Sequence, residues 1–84
     1  MNWRKLLNKA LSGSRNLTFR EVVALTEAFG FRLSRVSGSH HIFVHSQVQE
    51  LVNLQDEKGK AKPYQVRQLL RLVEENDLEI EEGR

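Results

Sequence analysis

The stretch "FRLSRVSGSHHIFVHSQVQELVNLQ", residues 31–55, decides the fold of this chain. It contains three short runs rich in β-branched and aromatic residues, at 31–36, 40–45 and 50–55, which "SGS" and the polar "SQVQ" separate. In the first run Phe31 and Leu33 alternate with Arg32 and Ser34, which is typical of a half-buried strand. We therefore predict an antiparallel meander of three strands.

Two helices are predicted on the N-terminal side of this stretch. Apolar residues recur at helical spacing from Trp3 to Leu11, and "SGS" at residues 12–14 ends that helix. Thr18 and Glu21 form a capping box, which predicts a second helix from residue 19 to about residue 29. Gly30 stands where a left-handed C-terminal cap is expected.

A third helix is predicted after the lysine-rich segment "DEKGKAK", residues 56–62. Pro63 suits the first helical position, because the N–H that it lacks would be unpaired there. The helix is expected to end near Asn76, with Gln65, Arg67, Gln68 and Arg71 facing outward. The predicted fold class is therefore α+β, in the order α-α-β-β-β-α, with helices on one face of a three-stranded antiparallel sheet and the other face open.

Composition and charge narrow the class of protein. A chain of 84 residues without cysteine fits a single domain in a reducing compartment, and no apolar run reaches the roughly 18 residues of a membrane span, so we expect a cytoplasmic protein that does not bind membranes. Residues 74–84 hold six acids and one base, a net charge of −5, whereas residues 1–73 carry +7. A basic body suggests a polyanionic partner such as nucleic acid, and the acidic tail, residues 77–84, is expected to add solubility or cover the basic face.

The three histidines of the chain lie within six positions, at His40, His41 and His45. A metal site is disfavoured, because His41 and His45 would be about 13 Å apart along a strand at ~3.3 Å per residue. As ordinary strand residues, His41 and His45 would be solvated on the open face and His40 hydrogen-bonded at the start of its strand. As a catalytic group, an imidazole can take and give a proton near neutral pH beside cations that hold a phosphate.

The segment "GFRLSRVSGSHHIFVH" resembles the HicA toxin family, also called YcfA-like, in a helix-closing glycine, a short strand, and G-S-H before a strand with an aromatic residue. Those positions are Gly30, Gly38, Ser39, His40 and Phe43. The resemblance continues in "GKAKPYQVRQLLRLV", which is similar to the family's lysine-rich loop, its Pro-containing helix start and its R-x-x-L helix, here with Arg67 and Leu70. It covers about residues 19–75.

The resemblance implies a single domain whose body, residues 18–76, folds like a double-stranded RNA-binding domain, with an additional helix and turn at residues 1–17. It also implies the toxin of a type II toxin–antitoxin pair: an endoribonuclease that cleaves mRNA and is neutralised by a HicB-like antitoxin. The histidine on which the family depends falls on His40, and His41 is the alternative if the strand register differs by one residue. Phe43 either stacks on a base or packs inside the domain.

One departure from the family concerns the end of the third strand. Many members carry a Pro-x-His element there, whereas this chain has Asn53, Leu54 and Gln55. A second polar contributor to the site is therefore altered or missing.

RNA can be cleaved without a metal ion when a base takes the proton of its 2′-hydroxyl, so we expect neither a metal nor a small-molecule cofactor. His40 acts as general base or acid. Ser39 either orients the imidazole or the phosphate or is an ordinary turn residue. Cations hold the phosphates and offset the charge of the transition state; they are Lys58, Lys60, Lys62, Arg67 and Arg71. The lysines occur at alternate positions, so an extended loop would line them along one side.

Two other classes of function stay open. One is an RNA-binding module without catalysis, whose loop and third helix straddle phosphates. The other is an interaction protein that binds a partner mainly through its open sheet face and edges.

Overall fold

The computed structural model of the protein describes residues 3–13 and 16–81. Its elements are α1 (Trp3–Leu11), α2 (Phe19–Ala28), β1 (Arg32–Ser37), β2 (His40–His45), β3 (Val48–Gln55) and α3 (Pro63–Glu75). The predicted α+β class and the α-α-β-β-β-α order are confirmed. Ser14, the last residue of the turn predicted after α1, lies outside the described residues.

The three strands form one antiparallel sheet in the order β1-β2-β3, so β2 is central and the other two strands are edges. Gly38 and Ser39 join β1 to β2, and Gly38 has the positive φ of +59° that a tight hairpin turn needs at its first position. Ser46 and Gln47 join β2 to β3. The second connection is thus two residues long. β3 begins at Val48, inside the polar "SQVQ" segment, rather than at residue 50 as predicted.

The core lies between one face of the sheet and the helices. Phe43 of β2 and Val52 and Leu54 of β3 are at most 1% exposed, and they belong to the same buried cluster as Leu25 of α2 and Leu69 of α3. The other face of the sheet is open, as predicted. Side chains on that face are therefore available to a ligand.

The prediction of a half-buried first strand is wrong. Phe31 is buried but precedes β1, and every residue of β1 is exposed, including Leu33 at 46%. The register against β2 also shifts between Leu33 and Arg35, which leaves Ser34 as an extra residue in a β-bulge. The reason is position: β1 is an edge strand, and the helices pack mainly over β3.

The predicted start and end of α2 are confirmed. The Thr18 side chain accepts from the Glu21 N–H at 3.0 Å, and the Glu21 carboxylate accepts from the Thr18 N–H at 2.9 Å. Gly30 follows the helix with a φ of +95°. The chain therefore enters and leaves α2 as the local signals predict.

The prediction that Gln65 faces outward is wrong. Its side chain is 3% exposed, and its Oε1 accepts a hydrogen bond of 2.8 Å from the backbone N–H of Gln55. That N–H points away from β2, so the Gln65 side chain satisfies a backbone donor that would otherwise be unpaired on the free edge of β3. Arg67 and Arg71 are exposed on α3, as predicted.

Part of the acidic tail packs against the body. Leu78 and Ile80 contact the core, and the Glu81 N–H donates to the carbonyl of Ala28 at 2.7 Å. Residues 82–84 lie outside the described residues. None of the helices in the described ranges is long and apolar enough to cross a membrane.

Candidate functional site

The adjacent histidines His40 and His41 lie on opposite faces of the sheet. His41 lies two residues before the buried Phe43 in β2, so both side chains point toward the helices. The ring of His41 meets that of Phe19 edge-on, with 4.8 Å between the ring centroids. His40 points to the open face. Both imidazoles are partly buried.

A neighbouring strand orients the imidazole of His40. Its Nδ1 lies 3.2 Å from Oδ1 of Asn53, which stands opposite Ile42 on the open face. An amide oxygen can only accept, so Nδ1 carries the proton in the neutral ring and Nε2 keeps its lone pair. The arrangement presents a potential proton acceptor at the open face, beside Gln55, the cross-strand partner of His40.

The environment of His41 is different. Its Nδ1 lies 3.2 Å from the carbonyl oxygen of Ser39, and its ring lines a cleft of about 300 Å³ between α2 and the sheet. Phe19, Val23 and Leu33 supply apolar walls of that cleft. His41 therefore faces an apolar groove on the helix side.

His45 has structural contacts at both ring nitrogens. Its Nε2 lies 3.1 Å from the carbonyl oxygen of Phe29, its Nδ1 accepts from the Gln47 N–H at 3.0 Å, and its ring meets that of Phe31 edge-on. The interpretation in which His41 and His45 are solvated on the open face is therefore wrong. Both lie against aromatic rings on the helix side.

Two further sequence-based alternatives concern metals and base stacking. Within residues 3–13 and 16–81, no three His, Cys, Asp or Glu side chains are placed to hold a metal ion. Phe43 is 1% exposed, so it packs in the core and has no face open to a base.

The lysine-rich segment is a tight turn, and the expectation of an extended loop is wrong. Glu57 and Lys60 exchange two backbone hydrogen bonds, and Lys58 and Gly59 between them have φ values of 53° and 83°. Two successive positive φ angles are typical of a type I′ turn. The Asp56 carboxylate accepts from the Gly59 N–H at 2.7 Å and holds this lysine turn, residues 57–60, closed.

The lysine turn begins at the same end of the sheet as His40 but folds toward the helix side. The Asp56 N–H donates to the Ser39 carbonyl at 2.9 Å, which ties the start of the turn to the residue before His40. Lys60 then pairs with Thr18 at the start of α2. Ser39 and the base of the turn thus adjoin His40, and the backbone of the turn continues past the end of the sheet to the start of α2.

The two arginines of α3 differ in their availability. Arg67 is exposed, with no ion pair among the described residues. The Arg71 guanidinium donates to the Glu50 carboxylate of β3 at 3.3 Å and to that of Glu75 at 3.0 Å, and these hydrogen bonds, the one to Glu50 first, raise the pKa of Arg71. Glu50 is five residues from Gln55, about 16 Å along a strand, so the structure does not bring Arg71 to His40.

Sequence reasoning missed Asn53 as a partner of His40. It noted Asn53 only as a departure from a family pattern, although the strand register pairs His40 with Gln55 and thereby places Asn53 diagonally beside it. The hydrogen bond joins residues 13 apart in the chain. Correct strand pairing was the signal that could have found it.

Comparison with protein families gives one finding. The family model described as the HicA toxin of bacterial toxin–antitoxin systems matches residues 19–74, two thirds of the 84 residues. The matched segment runs from the start of α2 to the last turn of α3 and includes both His40 and the lysine turn. None of the curated proteins compared with the chain matches it significantly.

Proposed function

We propose that this chain, which belongs to the HicA toxin family of bacterial toxin–antitoxin systems, is an endoribonuclease that cleaves mRNA without a metal ion. The observation that carries the proposal is the geometry of His40 on the open face. Its Nδ1 is held by Asn53 and its Nε2 is directed away from that contact. An imidazole nitrogen that keeps its lone pair can act as a general base.

RNA supplies its own nucleophile for such a reaction. Nε2 of His40 takes the proton of a 2′-hydroxyl, whose oxygen attacks the adjacent phosphorus while the bond to the 5′-oxygen breaks. The His40 imidazolium then returns the proton, through solvent, to the leaving 5′-oxygen, so the products are a 2′,3′-cyclic phosphate and a 5′-hydroxyl. DNA has no 2′-hydroxyl and is expected to resist cleavage.

Cations that contact the bound RNA offset the charge that builds up on the phosphate. We assign this role to Lys58, Lys60, Lys62 and Arg67, with Ser39 orienting the imidazole or the phosphate. Arg71 would join only if RNA displaced Glu50 and Glu75 from its guanidinium. The lysines are therefore the first candidates for phosphate contacts, and Arg71 is the last.

Family membership implies a cognate antitoxin as partner. We propose that this antitoxin is HicB-like and that toxin, antitoxin and mRNA meet in the cytoplasm. Binding that covers the open face around His40 would block access to the 2′-hydroxyl.

The test compares the purified parent with His40→Ala and His41→Ala on a defined mRNA, with and without excess EDTA. We expect the parent to cleave equally well with EDTA, His40→Ala to lose at least about 100-fold in rate, as general acid–base catalysis contributes, and His41→Ala to retain activity. Circular dichroism checks that each variant is folded.

Three outcomes contradict the assignment. A folded His40→Ala protein that cleaves at the parent rate removes His40 from the mechanism. Loss of cleavage on chelation, restored by zinc or manganese, overturns metal independence. RNA binding by the parent without any cleavage supports the RNA-binding module without catalysis.

A further inference from the structure

The β-bulge in β1 places two arginines on one face of the sheet. Arg32 stands opposite Val44 and Arg35 opposite Ile42, and the register shifts by one residue between them at Ser34. In a regular strand, residues three apart point to opposite faces, because side chains alternate. The extra residue restores the same face for both arginines, which is a recognised effect of bulges.

That face is the one that carries His40. Ile42 and Val44, the cross-strand partners of the arginines, follow His40 at alternate positions of β2, about 7 and 13 Å along the strand. Leu33 and Val36, in contrast, face the helix side, opposite Phe43 and His41. A row of His40, Arg35 and Arg32 therefore runs across the open face from one end of the sheet.

The charge on this face is of one sign. Arg32 and Arg35 are exposed, and neither makes an ion pair or a side-chain hydrogen bond within residues 3–13 and 16–81. The register gives the open face no carboxylate; its other members are Ser37, Ile42, Val44, Leu51, Asn53 and Gln55. Glu50 of β3 instead forms an ion pair with Arg71 of α3. The guanidinium groups of Arg32 and Arg35 therefore stand beside uncharged polar and apolar side chains.

We propose that this face binds the single-stranded RNA segment on one side of the cleaved bond, with Arg35 and Arg32 each binding a phosphate. The inference rests on the proposed function, which puts the cleaved bond at His40. Guanidinium groups are permanently charged and bind phosphate oxygens through paired hydrogen bonds. Ile42, Val44 and Leu51, which is 50% exposed, give the sugars and bases an apolar surface.

The experiment measures the affinity of an RNA strand whose 2′-hydroxyls are all methylated, so that the parent protein binds it without cleaving it. Each phosphate contact on single-stranded nucleic acid adds about 0.7 to the slope of log affinity against log salt. The Arg32→Gln/Arg35→Gln protein is therefore expected to lose about 1.4 from the parent slope and to bind less tightly at low salt. Its fold is checked by its thermal transition.

A matched control removes the same charge elsewhere. Arg4 on α1 and Arg20 on α2 are exposed and lie on the helix side of the molecule. The Arg4→Gln/Arg20→Gln protein is expected to keep the parent slope. Equal losses of slope in both double variants would mean that net charge alone matters, and would overturn the inference.

The remaining outcomes separate this inference from the proposed function. If the parent cleaves RNA and the Arg32→Gln/Arg35→Gln slope is unchanged, the inference is overturned and the endoribonuclease stands. If that variant instead loses only its affinity for the antitoxin or for an acidic peptide, the face is a protein-docking surface. If the slope depends on the arginines but unmethylated RNA is not cleaved, RNA binding stands and catalysis falls; absence of any binding by the parent overturns both.

Discussion

His40 and His41 are neighbours in sequence, yet their surroundings share almost nothing. His40 is held by the Asn53 amide on the open face, whereas His41 lies against Phe19 beside an apolar cleft. Strand geometry makes this division, because successive side chains point to opposite faces. At the residue scale, the candidate site therefore depends on the hydrogen bond that orients one imidazole.

We expect Asn53→Ala to lower kcat about fivefold, because one hydrogen bond of roughly 1 kcal/mol no longer orients the His40 ring. Asn53→Asp should shift the acidic limb of the pH–rate profile to higher pH, since a carboxylate favours the imidazolium form and raises the pKa of its partner. Rates measured from pH 5 to 9 test both. Gln49→Ala, an exposed change on the same strand, is the control; parent-like profiles for both Asn53 variants would exclude a positioning role.

At the scale of elements, α2 begins where side chains satisfy its first backbone donors. The capping box joins Thr18 and Glu21, and Lys9 of α1 lies 3.6 Å from the Glu21 carboxylate. The hydrogen bond from the Thr18 backbone N–H is the main cause that lowers the pKa of Glu21, and Lys9 adds to it. Since Phe19 contacts His41 and Thr18 pairs with Lys60, the start of α2 also positions the lysine turn.

The Glu21 carboxylate should make stability depend on pH in the acid range. Its pKa is lower in the folded state than the ordinary 4.5, so its contribution is complete above pH 4.5 and is lost as the pH falls below that value. Urea unfolding at pH 7 and pH 3 should therefore show a smaller loss of stability for Glu21→Gln than for the parent. Glu27→Gln, an exposed change on the same helix, is the control and should behave like the parent. Equal pH dependence of stability in all three proteins would contradict a stabilising role for the ionised Glu21 in the capping box.

At the scale of the whole molecule, the lysine turn and the acidic tail lie at opposite ends of the sheet. The lysine turn leaves the sheet beside Ser39, at the His40 end of β2. The described part of the acidic tail, residues 77–81, lies at the His45 end and lines clefts with His45 and with Arg4, Leu7 and Phe29. These residues therefore do not cover the lysine turn. Leu78 and Ile80 instead pack against the buried core.

Gly30 is the point where α2, β2 and the tail meet. A Cβ there would lie 2.5 Å from Oε2 of Glu81 and 2.9 Å from Nε2 of His45, whereas a Cβ on Gly13 would meet nothing within 4 Å. Both glycines have positive φ, so each change to alanine costs about 1 kcal/mol in backbone strain. We expect Gly30→Ala to cost at least about 1 kcal/mol more than Gly13→Ala, the lower range of overpacking.

Denaturant unfolding of the two alanine variants measures that difference directly. A Gly30→Ala protein as stable as Gly13→Ala would show that the tail and the His45 ring move aside without cost. A variant that removes the Glu81 side chain, Glu81→Ala, should recover part of the loss at Gly30.

The sequence by itself determined the elements, because their signals are local. Helical spacing placed α1, the Thr18–Glu21 box started α2, Gly30 closed it, and Pro63 opened α3. Each signal acts within about one turn of helix or one tight turn of chain, so it can be recognised without knowing what packs nearby.

Only the tertiary structure decided which side chains share a face and a partner. The bulge at Ser34, the pairing of His40 with Asn53, the burial of Gln65 against Gln55, and the closed lysine turn all depend on register between strands or on packing between elements. A shift of one residue exchanges the faces of a strand. Local preferences do not determine that register, because it follows from burying Phe43, Val52 and Leu54 together beneath the helices.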